Sequence, residues 1–372
     1  MNKGMKWSAG LLAAGVLVTS AGMTGGISVS AASASKAVVK QNVQPSVLLT
    51  YKGKSIKQEG RIVNGKTMIP VTVLRDAMGL ALTYNPATKS YIVGSGSKKL
   101  NLEVSDYGVN PTFNGYYVSN YGNDVDAKII EGRLYVPFTL LSDYMGYQGV
   151  YNPSLKKLDI TPRVQNAIDI KLQTISKTDK NSTLLAHYPM ITGLADEQAQ
   201  QTINDALKKQ AQTFAEESAS AAKKRVGTIE PTYDFIQNYL VTYNSNGVIS
   251  LITDQYSYTG GAHGMTNRVG MTFSLKDGKQ LELADLLKAT PDYKQKLNKI
   301  IMDKTKKDPN VFDKQEGFKS LKDKPDFYVK ENGLAIFFQQ YEIAPYASGF
   351  PTYIIPFGDI LPKGTNPFAI AK

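Results

Sequence analysis

RIVNGKTMIPVTVLRDAMGLALTYNPATKSYIV, residues 61–93, is written a second time as KIIEGRLYVPFTLLSDYMGYQGVYNPSLKKLDI, residues 128–160, without a gap and at an offset of 67 residues. Twelve of the 33 positions are identical, where chance gives about two. The recurring residues are Ile62, Gly65, Pro70, Thr72, Leu74, Asp76, Met78, Gly79, Tyr84, Asn85, Pro86 and Lys89, matched by Ile129, Gly132, Pro137, Thr139, Leu141, Asp143, Met145, Gly146, Tyr151, Asn152, Pro153 and Lys156. These are turn residues, helix stops and apolar face positions, the parts of a scaffold. Each copy predicts the same local path. Asn64-Gly65 and Glu131-Gly132 supply the positive φ of a tight hairpin. Val71, Leu74 and Met78, like Phe138, Leu141 and Met145, then fall at i, i+3 and i+7 on one face of a short helix. Gly79 and Gly146 stop these helices, and Tyr-Asn-Pro turns the chain into a second hairpin. Each repeat therefore reads as hairpin, helix, hairpin.

Past Pro162 the pattern changes. Residues 167–175 and 183–191 read as strands, and residues 196–223 as a helix with Ile203, Leu207, Phe214 and Ala221 on one side. Strands at 233–243, 248–258 and 266–275, and from Leu281 onward, are separated by turns at Asn244-Ser245-Asn246-Gly247 and Lys276-Asp277-Gly278. A second helix is signed by Thr290 as its cap, Pro291 at its first position, and a stripe of Tyr293, Leu297, Ile300 and Ile301. Strands at 327–330, 334–341 and 352–357 complete the pattern. The expected fold class is α+β: a small repeat-built domain of antiparallel sheet and helices over residues 46–162, then an α+β domain over residues 165–372 with an antiparallel sheet and two main helices.

Two resemblances attach to these motifs. Val63-Asn64-Gly65-Lys66-Thr67-Met68-Ile69-Pro70 and Ile130-Glu131-Gly132-Arg133-Leu134-Tyr135-Val136-Pro137, each followed by a helix, a glycine and a Tyr-Asn-Pro turn, resemble the stalk domain named after the copper amine oxidase N-terminus. In that family the domain is a spacer and not the oxidase. His187 and His263 are the only histidines, too few for a three-histidine copper site. In the second half, Leu185-Ala186-His187-Tyr188-Pro189-Met190-Ile191 leading into Ile203-Asn204-Asp205-Ala206-Leu207 is similar to the domain of unknown function numbered 4163. Gly260-Gly261-Ala262-His263-Gly264, Leu283-Ala284-Asp285-Leu286-Leu287, residues 337–349 and Ile355-Pro356-Phe357 are similar to the one numbered 3298. Together they make an RsiV/PdaC-like extracellular region. The resemblance implies extracellular recognition, of lysozyme in one branch, in a region that is itself non-catalytic. Six residues ahead of the first apolar run leave no expected room for a cytoplasmic sigma-binding segment, and no deacetylase domain is expected to follow.

The start of the chain reads as a secretory leader. Lys3 and Lys6 precede the apolar run at residues 9–18, and small residues follow, so residues 1–34 are assigned to a signal peptide and residues 35–45 to a polar linker. An uncleaved anchor is the rival, but Gly, Ser and Thr fill the second half of the stretch. The chain has no cysteine, which rules out disulfides and fits a Gram-positive type of exterior. Over 372 residues the formal charge is +11, and removal of Lys3 and Lys6 leaves +9. Outside a cell such a surplus suits anionic wall polymers better than nucleic acid, although the lysines are scattered as on an ordinary solvated surface.

Chemistry-bearing motifs are few. Gly260, Gly261 and His263 form an open glycine-rich turn that serves either as a contact loop presenting an imidazole or as a plain connector. Tyr341, Glu342 and Tyr346 offer aromatic faces and one carboxylate to a sugar or protein, or else form a rigid strand exit. These six residues are the candidate ligand-binding set, and no catalytic residue or cofactor is assigned. His187, beside Tyr188 on an alternating strand, reads as structural. Asn120, Asp124, Asp126 and Glu131 have partial calcium-loop spacing, but Val125 stands where that loop needs glycine, so no metal is assigned. The dense tyrosines of the second repeat suit a half-buried sheet or glycan stacking. The favoured function is a secreted, non-enzymatic envelope protein that binds peptidoglycan, an anionic wall polymer or a lysozyme-like protein. The alternatives are a wall-polymer hydrolase using His263 or Glu342, and a plain spacer.

Overall fold

The two sequence copies pair with each other through equivalent strands. In the computed structural model, which describes residues 45–118, 126–225, 232–313 and 316–371, Lys66–Pro70 runs antiparallel to Arg133–Pro137 with Ile69 opposite Val136. Those two residues occupy the same position of the repeat, so a local two-fold passes between them. The signal peptide, most of the linker, Asn120 and Asp124 lie outside the described residues.

Each copy follows the expected path. The first forms the hairpin Gly60–Val63/Lys66–Pro70, the helix Val71–Asp76 and the hairpin Leu82–Asn85/Ser90–Val93. The second forms Lys128–Ile130/Arg133–Pro137, the helix Phe138–Tyr144 and Tyr147–Asn152/Lys157–Pro162. Asn64-Gly65 and Glu131-Gly132 both have φ between 49° and 76°, the pair of positive values a two-residue hairpin needs. Lys89 (φ 49°) and Lys156 (φ 47°) recur for the same reason, each closing a second hairpin in the left-handed region. The second hairpins are completed by strands outside the repeat. Ser90–Val93 pairs antiparallel with Leu100–Ser105, whereas Lys157–Pro162 pairs parallel with Ser46–Tyr51.

The rest of the chain builds two further sheets. Asp169–Thr178, Ser182–Thr192, Tyr233–Ser245, Val248–Tyr258 and Met265–Ser274 lie side by side in chain order. All neighbours are antiparallel except Ser182–Thr192 and Tyr233–Ser245, which run parallel because the helix Glu197–Lys223 crosses between them. Asp196 caps that helix, accepting a hydrogen bond from the Ala199 amide at 2.8 Å. Ile203 and Leu207 press onto Ile191, Ile249, Leu251 and Phe273. The second sheet, Phe327–Lys330, Gly333–Phe337 and Thr352–Ile355, packs on the helix Tyr293–Thr305 through Leu297 and Ile301. It also lies against the five-stranded sheet. A Cβ on Gly270 would fall 2.0 Å from the Phe327 carbonyl oxygen, so the two backbones meet where no side chain intervenes.

Two local expectations are corrected. Thr290 does not cap the helix Tyr293–Thr305: its hydroxyl donates to the Ile360 carbonyl at 3.1 Å, and Asp292 stands at the cap position without a side-chain bond. The segment from Leu281 is not a strand. Glu282 and Asp285 form a reciprocal capping box that starts the one-turn helix Leu283–Leu286, a local bond pattern that outcompetes strand alternation.

All described residues belong to one contact unit, and the apolar core of the repeats runs on into the second half, joining Ile69, Leu74, Leu100 and Leu141 to Leu240, Ile252 and Phe337. Charged pairs cross the same seam. Lys330 Nζ is 2.6 Å from Asp143 Oδ2, and Arg163 is 2.9 Å from Glu331. At its centre Arg268, with its side chain 2% exposed, holds Asp254 through Nε and Nη2, both at 2.8 Å, and donates from Nη2 to the Tyr116 hydroxyl at 2.8 Å. Its guanidinium lies 4.0 Å from the centre of the Phe350 ring. Burial works against this charge, yet Tyr116 and Asp254 hold it above its ordinary range, while burial drives the Tyr116 phenol well up. Arg268→Ala should destabilise the chain by about 2–4 kcal/mol, because it leaves the half-buried Asp254 carboxylate and the buried Tyr116 hydroxyl without their partner. Tyr116→Phe should cost about 1 kcal/mol. Urea unfolding of the two variants checks both values.

Candidate aromatic binding site

The loop between Val248–Tyr258 and Met265–Ser274 folds back onto its own strand. Gly260 (φ 98°) and Gly261 (φ 92°) take the left-handed turn, with nothing within 4 Å of where a Cβ would stand. The Tyr258 hydroxyl donates to the Gly261 carbonyl at 3.0 Å. Gly264 is glycine for another reason: a Cβ there would meet the Tyr256 ring at 2.4 Å. Tyr256 thus forms the floor of the loop, and the alternation of strand positions 256 and 258 places both tyrosines beneath it.

The second loop follows Gly333–Phe337. Gln339 is fixed to Arg268 by two hydrogen bonds: the Arg268 amide donates to Gln339 Oε1 at 3.0 Å, and Gln339 Nε2 donates to the Arg268 carbonyl at 2.8 Å. Gln340 Oε1 accepts from the Thr266 amide at 2.8 Å. Glu342 then closes the turn, its Oε2 accepting from the Gln339 amide at 2.7 Å. Tyr341 sits between them at φ 65°, an unfavourable backbone value for a bulky residue, with half of its surface exposed. The chain continues to the 3₁₀ turn Tyr346–Ser348.

These two loops meet. The His263 and Tyr346 rings stack with centroids 4.1 Å apart and planes 25° from parallel, and Tyr341 lies 5.7 Å from Tyr346. The Tyr346 hydroxyl donates to the Gly264 carbonyl at 3.0 Å, and His263 Nδ1 lies 2.9 Å from the same oxygen. A carbonyl only accepts, so Nδ1 carries the proton and the neutral ring keeps Nε2 as an acceptor. The result is a three-ring cluster in which His263 and Tyr341 are exposed and Tyr346 is half-buried, made from residues about 80 positions apart. Tyr346 contributes the Tyr256 phenol's second influence: burial first, then Tyr346 and Asp234, hold it above its ordinary range.

Of the six residues singled out in the sequence, His263, Tyr341 and Tyr346 come together as rings, and Gly260 and Gly261 shape the loop. Glu342 is drawn aside, with one oxygen on a backbone amide and the other 3.9 Å from Lys322, which itself pairs with Asp326 at 2.6 Å. His187 lies apart, its Nδ1 2.9 Å from Asn238 Oδ1. Sequence reasoning missed Tyr256, Gln339 and Lys322. The i, i+2 spacing of Tyr256 and Tyr258 is a signal for the first, and Gln339 lies within the 337–349 motif without a role of its own there; nothing marks Lys322. Among the described residues no three His, Asp or Glu side chains converge to hold a metal ion, and no helix is long and apolar enough to cross a membrane.

Three family models match the chain in series. Residues 50–160 match the copper amine oxidase N-terminal domain, residues 175–266 match the model described as Deacetylase PdaC, and residues 284–358 match the protein family of unknown function DUF3298. The PdaC match takes in residues 185–207, and the His263 loop falls at its end; the Tyr341 loop lies inside the DUF3298 match. Each match covers less than a third of the chain, and the three follow one another without overlap. Among individual proteins, the peptidoglycan-N-acetylmuramic acid deacetylase PdaC of Bacillus subtilis is 24% identical over 209 residues, covering 52% of this chain and 42% of that protein. The chain therefore spans less than half the length of this curated relative. Crystal structures of DUF3298 members from Bacteroides fragilis and Pseudomonas aeruginosa are each 19% identical, with TM-scores of 0.40 and 0.37. They cover 54% and 53% of this chain, and 95% and 98% of their own.

Replacing Gly264 by Ala should cost about 1–3 kcal/mol through overpacking against Tyr256. In a Tyr256→Ala background the added cost of G264A should fall to near zero, and a double-mutant cycle by urea unfolding reads the difference.

Proposed function

We propose that this chain is a secreted cell-envelope protein that binds peptidoglycan glycan on the His263–Tyr346–Tyr341 face without altering it. The observation that carries this reading is the exposed stack itself, held rigid by Gln339, Gln340 and Gly264. Aromatic faces of fixed orientation bind the apolar faces of sugar rings with little ordering cost. The B. subtilis relative, whose name states that it acts on peptidoglycan, supports the choice of polymer.

The name of that relative also motivates the competing reading, a hydrolase with His263 or Glu342 as acid or base. A general base needs an oriented partner. His263 Nδ1 is bonded to a backbone carbonyl while Nε2 stays open, and Glu342 closes its own turn beside Lys322, so the imidazole and the carboxylate are not arranged as a pair. Retention of the full chain on purified, protein-free peptidoglycan separates the readings. Tyr341→Ala with Tyr346→Ala should lower retention about tenfold or more. His263→Ala and Glu342→Gln should leave the wall as intact as the wild type does. Release of acetate or reducing sugar by the wild type, lost in either variant, would establish the hydrolase. Retention on lysozyme but not on wall would establish a protein partner instead.

A further inference from the structure

The elements that carry the three rings have carboxylates beside them, although the chain as a whole is +11. Asp234 stands directly across from Tyr258 in the neighbouring strand, hydrogen-bonded by Thr183 at 2.6 Å, and is close enough to act on the Tyr256 phenol. Glu342 follows Tyr341 in the chain, its side chain about a third exposed, with one oxygen on the Gln339 amide. Lys322 is shared between two carboxylates, at 2.6 Å from Asp326 and 3.9 Å from Glu342, so one ammonium faces two acids. Arg268 adds no free positive charge, since Asp254 already neutralises it with a two-point pair. The local balance is therefore acidic where the global balance is basic. An anionic polymer attracted by the whole surface is disfavoured at this face.

We infer that the glycan this face selects carries free amines, that is, amino sugars from which the N-acetyl group has been removed. The inference rests on the peptidoglycan reading above and names the chemical form of the polymer. A sugar ammonium over a tyrosine face gains cation–π attraction, and one that also reaches a carboxylate gains a charge-assisted hydrogen bond. An acetylated nitrogen is neutral and forfeits both. The reaction class that supplies such a ligand is amide hydrolysis, in which water cleaves the C–N bond, acetate leaves and the amine stays on the sugar. A binder of this kind acts on the product side of that reaction.

Calorimetric titration of the full chain with chitotetraose, and with the same tetramer fully de-N-acetylated, tests the inference at a pH where the amines are protonated. The de-acetylated tetramer should bind about tenfold tighter or better, and the advantage should shrink in raised salt. Asp234→Asn keeps an oxygen for Thr183 and should reduce the advantage while leaving chitotetraose binding unchanged; Glu342→Gln keeps an oxygen for the Gln339 amide and should also reduce the advantage. Equal or tighter binding of chitotetraose, or an advantage that survives both substitutions, overturns the inference while leaving glycan binding intact. Failure of both tetramers to bind, with a polylysine peptide binding in their place, overturns it together with the peptidoglycan reading.

Discussion

Arg268 is the residue on which the arrangement of this molecule turns. Its guanidinium reaches the repeat half through Tyr116 and is neutralised within its own sheet by Asp254, while its backbone is gripped on both polar atoms by Gln339. One position thus ties together the repeat, the five-stranded sheet and the loop that carries Tyr341. Buried ion pairs of this kind contribute little net stability, since desolvation offsets the attraction. The stabilisation comes from the apolar core that crosses the seam. The pair holds the guanidinium in place, and the bond that crosses to the repeat half is the one from Nη2 to the Tyr116 hydroxyl.

The seam also shows how a duplicated unit diverges in use. Asp76 and Asp143 occupy the same place in the two copies, in the last turn of the same helix. Asp76 pairs with its neighbour Arg75 in solvent, whereas Asp143 takes Lys330 from the other half at 2.6 Å. Burial opposes the Lys330 charge, but Tyr144, Asp143 and Tyr328 together keep its ammonium above the ordinary range. Identity between the copies marks what the fold of each repeat needs. The difference in partners marks where the second copy is joined to the rest of the chain.

Much of the fold was legible because it is local. Asn64-Gly65, Glu131-Gly132, Gly79 and Gly146 announce backbone conformations that no distant contact has to supply, and helix 197–223 is written in its own periodicity. What stayed hidden depends on distance along the chain. Tyr116 and Arg268 are 152 residues apart, and nothing in either neighbourhood marks the partner. Thr290 carried a helix-start signature, yet tertiary contact with Ile360 claimed its hydroxyl. The candidate site was legible as two separate motifs, since glycines around a histidine and tyrosines around a turn stand out. Their stacking was not, because it depends on two glutamines that look like ordinary surface residues in the sequence.

The proposed face is built from rings already in contact, and the Nδ1 of its imidazole is bonded to a carbonyl. The chain has two histidines, His187 bonded at the seam and His263 on the face, so its imidazole resonances form a small and assignable set. The most direct measurement is an NMR titration of the full chain with soluble peptidoglycan fragments, followed by mass analysis of the recovered fragments. The account predicts a saturable shift at His263, none at His187, and fragments returned unchanged in mass. An unmoved His263, or fragments that come back shortened or stripped of acetyl groups, would contradict it.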